Sequence, residues 1–234
     1  DQAMPYYEEV LEARRRVNGN EHGKTLTAIN NMGFILQRQG KYKEAMPYYV
    51  EAMETRRRCF GDEHPDTLRV INNIGQLLDL LGRHEEAMTY YKESLDGRRR
   101  VLGHDHPDTI QSVVGMGQTL MSQRKYEEAA EYVKGSLDAM RRVLGNDHPV
   151  TLVAVNNMGE LLWNQDKSEE AMSYYVESLE GNRKLLGDEH PRTLVALNNI
   201  GMTLVKMEKP DEAKLYFIEC LEIRRRVLGN EHPN

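Results

Sequence analysis

Apolar residues recur along this chain in steps of three and four, in stretches separated by short polar loops. Leu68, Ile71, Ile74, Leu78 and Leu81 form one such series, and Ala87, Tyr90, Tyr91, Leu95, Val101 and Leu102 form the next. That spacing is one face of an α-helix. It predicts a helix over about Asp66 to Leu81 and a second over about His84 to Leu102. Pro65 suits a first turn, whose N–H groups have no partner inside the helix. Asp62 and Glu63, just upstream, suit its positive end. Gly82 and Gly103 stand where the two helices end. The loop between them is short, so the pair is expected to pack antiparallel.

This pair of helices returns with a fixed period. Gly-Asp-Glu-His-Pro-x-Thr-Leu reads from Gly61 to Leu68 and again from Gly187 to Leu194. His22, His64, His106, His148, His190 and His232 follow one another at intervals of 42 residues. A strict period of this size marks a solenoid, whose units bury a core only against their neighbours. First-helix cores are expected at Leu26/Ile29/Met32/Leu36, Ile110/Val113/Met116/Leu120, Leu152/Val155/Met158/Leu162 and Leu194/Leu197/Ile200/Leu204. The chain then divides into a lone second helix within 1–21, full repeats at 22–63, 64–105, 106–147, 148–189 and 190–231, and the start of another unit at 232–234. We expect one array with no domain boundary. Asp1-Gln2-Ala3-Met4-Pro5-Tyr6-Tyr7 aligns with Lys43-Glu44-Ala45-Met46-Pro47-Tyr48-Tyr49, so a fragment of a longer protein is expected.

Gly33, Gly75, Gly117, Gly159 and Gly201 share one phase in the first helices. A mid-helix Gly costs about 1 kcal/mol relative to Ala, so a neighbouring element is expected to approach closely there. Ala45, Ala87, Ala129, Ala171 and Ala213 are expected to do the same on the second helices.

Charge and composition narrow the function. The net charge of −6 disfavours non-specific binding to nucleic acid or to an anionic membrane. No apolar run approaches the ~18 residues of a membrane span, and no signal peptide is read at the start. Cys59 and Cys220 are the two cysteines, too few for a disulfide framework, so a reducing, cytoplasmic setting is expected.

Few residues carry candidate chemistry. The recurrent His residues suggest metal at first sight, but stacked helices hold successive copies about 10 Å apart, far beyond the ~2.0–2.3 Å of a zinc ligand. His104-Asp105-His106 is a close pair without further ligands. A structural role in the turn and helix start is the expectation, with no metal and no cofactor. No nucleophile elbow, phosphate loop or unique carboxylate pair is visible, so no catalytic activity is expected. Arg14-Arg15-Arg16, Arg56-Arg57-Arg58, Arg98-Arg99-Arg100, Arg141-Arg142 and Arg224-Arg225-Arg226 lie near second-helix ends, where cations oppose the dipole. They read as a solvated face, paired with Glu12, Glu54, Asp96, Asp138 and Glu222 one turn upstream.

The sharpest signal is a series of asparagine pairs: Asn30-Asn31, Asn72-Asn73, Asn156-Asn157 and Asn198-Asn199. Asn is poor inside a helix because its amide competes for backbone bonds. Either one Asn of each pair bonds the backbone of the neighbouring repeat, or the amides line a binding face. Val114-Gly115 breaks the series, through drift or to form a local apolar pocket.

Gly75…Leu78…Gly82-Arg83-His84-Glu85-Glu86-Ala87…Tyr90-Tyr91…Ser94-Leu95 resembles the tetratricopeptide repeat. The 42-residue form, with His-Pro-x-Thr-Leu, Asn-Asn-[Met/Ile]-Gly and Glu-x-Arg-Arg-Arg-Val-Leu-Gly, is similar to the repeats of the kinesin light chain family. The resemblance covers the whole chain. It implies an all-α fold, a right-handed superhelical α-solenoid of antiparallel helix pairs. It also implies a concave groove, lined by first helices, that binds an extended peptide of a partner protein. Carried onto this sequence, the groove takes in Asn30, Asn31, Asn72, Asn73, Asn156, Asn157, Asn198 and Asn199, where an amide can donate to and accept from a peptide backbone. One turn before them stand Thr27, Arg69, Gln111, Val153 and Val195, and one turn after them Phe34, Gln76, Gln118, Glu160 and Met202. Val114, Trp163 and Lys206 complete the candidate set. Trp163 is either a contact or a core filler. The family's ligands carry an apolar anchor with acidic flanks; Arg69, Arg38 and Lys206 suit these, while Asp79 and Glu160 oppose them. The alternative is a structural or regulatory arm that packs on other domains of a larger protein or associates end to end with itself.

Overall fold

The structure is a computed structural model that describes residues 4–228. Among the described residues there are eleven α-helices and no strands. They form two compact units.

The first unit, residues 1–123, holds α1 (Met4–Asn18), α2 (Gly23–Arg38), α3 (Tyr42–Phe60), α4 (Pro65–Leu80), α5 (His84–Leu102) and α6 (Pro107–Ser122). The second, residues 124–234, holds α7 (Tyr126–Leu144), α8 (Pro149–Asn164), α9 (Ser168–Leu186), α10 (Pro191–Lys206) and α11 (Pro210–Leu228). The expected boundaries hold to within two residues. Within each unit a first helix packs on its own second helix and on the second helix before it: α4 on α5 and α3, α10 on α11 and α9. This is the α-solenoid arrangement of antiparallel helix pairs.

The repeated His residues are helix caps. His22, His64, His106, His148 and His190 have extended backbone, and each Nδ1 accepts from the backbone N–H two residues on, at 3.1 or 3.2 Å. The imidazole thus satisfies one of the donors that a helix start leaves unpaired. His232 lies outside the described residues. Among the described residues no group of three or more His, Cys, Asp or Glu is placed to hold a metal ion. None of their helices is long and apolar enough to cross a membrane.

The expected first-helix cores are buried, with Val113, Met158 and Leu194 half-buried. Val101, read as an apolar-face position, is instead 43% exposed. The helix glycines lie under aromatic rings. A Cβ at Gly33, Gly159 or Gly201 would fall 2.9, 2.7 or 2.6 Å from the ring of Tyr49, Tyr175 or Phe217 on the paired second helix. The partner of the glycine is therefore a ring, and the invariant alanines Ala45, Ala87, Ala129, Ala171 and Ala213 are buried beside it.

The arginine runs are not simply a solvated face. Arg56 and Arg98 are 1% and 0% exposed. Arg56 donates to Asp66 Oδ2 and to Thr27 Oγ1, both at 3.0 Å. Arg98 donates to the Asp108 carbonyl at 2.5 Å, to Ser112 Oγ at 2.9 Å and to Asn72 Oδ1 at 3.3 Å. Loss of water pulls the Arg98 guanidinium down to about 10; Asp108 opposes this and Arg69 adds to it. The second residue of a run reaches the next second helix: Arg15 to Glu51 at 2.8 Å, Arg141 to Glu177 at 2.7 Å, and likewise Arg57 to Glu93 and Arg183 to Glu219. The third turns back to a loop acid: Arg58 to Glu21, Arg100 to Glu63, Lys184 to Asp147 and Arg226 to Glu189. These partners lie 36 or 37 residues away, not one turn upstream, because stacking brings successive repeats side by side.

Candidate functional site

The asparagine pairs form a ladder between repeats. Asn73 Nδ2 on α4 donates to Asn30 Oδ1 on α2 at 3.0 Å, and Asn199 Nδ2 on α10 donates to Asn156 Oδ1 on α8 at 3.0 Å. The second Asn of one repeat thus bonds the first Asn of the repeat before. The partner is a side chain, not the backbone that one sequence reading expected. Burial differs along the series. Asn30 and Asn72 are buried; Asn73, Asn156, Asn157 and Asn199 are half-buried; Asn31 and Asn198 are exposed.

The interruption at Val114-Gly115 has a packing cause. The Tyr91 ring lies against Gly115, so closely that a Cβ there would overlap it. Gly115 also has no amide to offer Asn72. The Asn72 oxygen instead accepts from Ser112 Oγ at 3.0 Å and from Arg98. Ser112 stands where the other first helices carry Ala28, Val70, Ala154 and Ala196, so the hydroxyl appears only in the repeat where the ladder stops.

In the second unit the ladder runs between two pockets that share Asn156 and Val195. One, of about 310 Å³, is lined by Leu152, Val153, Asn156, Ser178, Asn182, Arg192 and Val195. The other, of about 370 Å³, is lined by Asn156, Glu160, Trp163, Asn164, Tyr175, Val195, Asn199 and Met202. Each holds a polar atom that finds no hydrogen-bond partner among the described residues: Asn182 Oδ1 in the first and Trp163 Nε1 in the second. Asn182 is 2% exposed, and its Nδ2 is engaged by the Ser178 carbonyl and hydroxyl at 2.7 and 3.2 Å. A buried acceptor left unpaired costs about 1–3 kcal/mol. A partner that supplies the missing donor therefore gains more here than at an exposed acceptor.

Trp163 serves both expected roles. It packs on the core of Leu162, Ala171, Tyr175 and Leu197, and its indole edge lines the second pocket. Lys206 covers the ring at 4.4 Å, donates to the Trp163 carbonyl at 2.7 Å and pairs with Asp166 at 2.5 Å. Glu160 keeps an exposed edge, yet burial by the surrounding walls holds its carboxyl above the usual carboxylate range.

The sequence carries the pattern of the tetratricopeptide repeat over residues 1–49, 25–100, 80–132, 108–184 and 150–226. This chain is a tetratricopeptide repeat protein. It is of the 42-residue, kinesin light chain-like type. Compared by sequence with curated proteins, the repeat array matches none. Solved structures share the fold at low identity. BtubC (BKLC) of P. vanneervenii is 18% identical with a TM-score of 0.82, covering 100% of this chain and 93% of that one. A kinesin light chain-like protein of nearly identical TPR-like repeats from Podosopora anserina is 17% identical with a TM-score of 0.72, covering 88% and 97%. The quorum sensor NprR of B. thuringiensis, in its apo form, is 18% identical with a TM-score of 0.74, covering 96% of this chain and 61% of NprR.

Within this tetratricopeptide array the candidate residues separate into groups. In the second unit Asn156, Asn199 and Trp163 share one pocket, and Lys206 closes over the Trp. In the first unit Asn30 and Asn73 form their rung, and Arg69 is held by Asp66 at 2.6 Å. Gln76 and Gln118 are exposed, and Val114 is half-buried. Asn182, Ser178 and Arg192 were not among the expected site residues. The signal for Asn182 was its column: at the 42-residue phase it stands where Arg56, Arg98 and Arg224 stand.

Proposed function

We propose that this chain is a protein-interaction module that binds an extended segment of a partner protein along its first-helix face, with the second unit as the main recognition site. Membership of the tetratricopeptide repeat family supports the interaction role. The observation that carries the finer reading is the pair of contiguous pockets joined at Asn156 and Val195, each with an unpaired polar atom. An extended peptide needs backbone partners at regular spacing and pockets for selected side chains. Asn156 and Asn199 keep free lone pairs and N–H groups beyond the one bond they share. NprR, similar in fold, has been solved in complex with its cognate peptide NprX, at 16% identity and a TM-score of 0.68. The reading of 1–234 as one array, the groove assignment of Asn30, Asn31, Asn72, Asn73, Asn157, Asn198, Arg69, Gln76, Val114 and Gln118, and a cytoplasmic setting for a chain with two free cysteines belong to the same proposal.

A peptide-array screen with the purified chain, run at two salt concentrations, tests it. Selective binding to peptides with one large apolar anchor is the expected result, lost on Val195→Asp with helicity intact. Strong weakening by salt would add acidic flanks to the ligand. No selective binder would overturn the reading and favour an arm that packs on other domains.

A further inference from the structure

Position 182 takes on meaning beside its counterpart two repeats earlier. Arg98 fills the space between neighbouring first helices in the first unit with a fully buried guanidinium, which donates to Asn72 Oδ1, the Asp108 carbonyl and Ser112 Oγ. At the same phase in the second unit the residue is Asn182, shorter by most of an arginine side chain. Asn72 corresponds to Asn156, Asp108 to Arg192 and Ser112 to Ala196. The acceptors that surround the guanidinium in one unit thus have counterparts in the other, where the space is the 310 Å³ pocket. Asn182 Oδ1 adds a buried acceptor without a partner among the described residues.

We propose that this pocket is a subsite for a carboxamide side chain, Asn or Gln, on the partner segment. This rests on the groove reading above and names the chemistry that one of its pockets selects. Asn182 Oδ1, and the second lone pair of Asn156 Oδ1, call for N–H donors. Leu152, Val153 and Val195 give apolar walls for a methylene stem. Charge decides between the donor-bearing groups. Asp108 stands beside Arg98 in the first unit, but the corresponding residue here is cationic Arg192, whose guanidinium lies near the Pro149 carbonyl at 3.3 Å. A guanidinium or ammonium would meet a like charge at the pocket mouth, and a neutral primary amide would not.

The test uses small probes, so it does not depend on finding the partner. Propionamide is titrated into the ¹⁵N-labelled 234-residue chain, and the amide signals of Leu152, Val153, Asn156 and Val195 and the side-chain amide of Asn182 are followed. Saturable shifts confined to this set are expected. Butanone, with the same shape but no donor, and propylguanidinium are each expected to bind about tenfold or more weakly, the factor that one hydrogen bond to a buried acceptor supplies. Asn182→Leu should abolish the propionamide response with helicity unchanged. Asn182→Met, the residue found at position 140 of the same column, is a second variant with the same expectation should the first misfold. Equal binding of butanone would reduce the site to an apolar cleft, and tighter binding of propylguanidinium would make it a cation site. No response at all, or an unchanged response in both variants, would also overturn the proposal. A positive response with a failed peptide screen would sink the groove function and leave the subsite. A successful screen with no propionamide response would do the reverse.

Discussion

Asn199 Nδ2 donates to Asn156 Oδ1 at 3.0 Å, joining two first helices whose sequences are a full repeat apart. The exposed neighbour Asn198 shares the same helix and the same unfavourable propensity. Replacing either by Ala gains about 0.5 kcal/mol of helix propensity. Only Asn199→Ala also loses a hydrogen bond, worth about 1 kcal/mol net. Asn198→Ala is therefore expected to be neutral or slightly stabilising and Asn199→Ala destabilising, with about 1 kcal/mol between them. Urea unfolding of the two variants side by side measures this. Equal midpoints would mean that the rung contributes nothing to stability.

The buried ion pair of Arg56 and Asp66 makes a different prediction. The column pairs Arg56 with Asp66 and Arg98 with Asp108, but Met140 with Val150, so the same space is filled in one place by charge and in another by apolar groups. Asp66→Val leaves the buried Arg56 guanidinium with Thr27 as its remaining partner. That is expected to cost about 2 kcal/mol, below a fully buried pair because the Asp66 side chain is 40% exposed. Adding Arg56→Met, which copies the Met140/Val150 pair, should recover most of the loss. Chemical denaturation of the two singles and the double closes the cycle. A double variant no better than Asp66→Val would show that the two sites do not couple.

These cases mark what was legible in the sequence. Period 42 and the apolar steps gave the helices, their order and their caps, because those depend on local chemistry repeated several times. The glycine column announced a close approach, though not that a tyrosine or phenylalanine ring causes it. The fate of the arginines was hidden. Arg56 and Arg57 are the same residue type on consecutive positions, and only stacking decides that one is buried against α4 while the other reaches Glu93. Asn182 was hidden for the opposite reason: it departs from its column, and a reading built on recurrence passes over departures. The pockets follow from such departures, which is why position arithmetic named Val153, Val195, Glu160, Met202 and Trp163 but missed the floor beneath them.

Glu208 is held in the left-handed region at φ +60°, as are Arg124 and Asp166 in the corresponding loops, where Gly40 and Gly82 stand in earlier repeats. A non-glycine residue there costs about 1 kcal/mol. Glu208 is exposed, and its backbone N–H already closes the turn on the Val205 carbonyl at 3.0 Å, so Gly fits without other change. Glu208→Gly should stabilise the chain by about 1 kcal/mol, raising the melting temperature by ~2–4 °C. Glu208→Ala removes the same charge and keeps the Cβ, so it should give no such gain. Matching gains would assign the effect to charge and not to backbone.

Tyr49, Tyr91 and Tyr175 fix the alkaline limit of stability. All three are buried, and loss of water raises each phenol well above its ordinary value of 10, with Asp79 adding to this at Tyr91 and Glu160 at Tyr175. Tyr49 also donates to Gln37 Oε1 at 3.0 Å, a bond that only the neutral phenol makes. Above pH 10 the unfolded chain releases these protons and the folded chain keeps them. Stability is then fully present below pH 10 and falls as pH rises, by about 1.4 kcal/mol per pH unit for each group. Arg98 works the other way: its guanidinium is lowered to about 10, so above that pH the unfolded chain holds the extra proton and stability gains. Three acids against one base leave a net fall. Phenolate absorbance and helicity followed together along a pH titration should separate in time: exposed tyrosines such as Tyr6, 71% exposed, ionise first with the helices intact, and the last phenolates appear only as helicity is lost. If all twelve tyrosines ionise in one step near pH 10 while the chain stays helical, the three rings are not sealed from water, and the packing of Tyr49 and Tyr175 on Gly33 and Gly159 is looser than the fold requires.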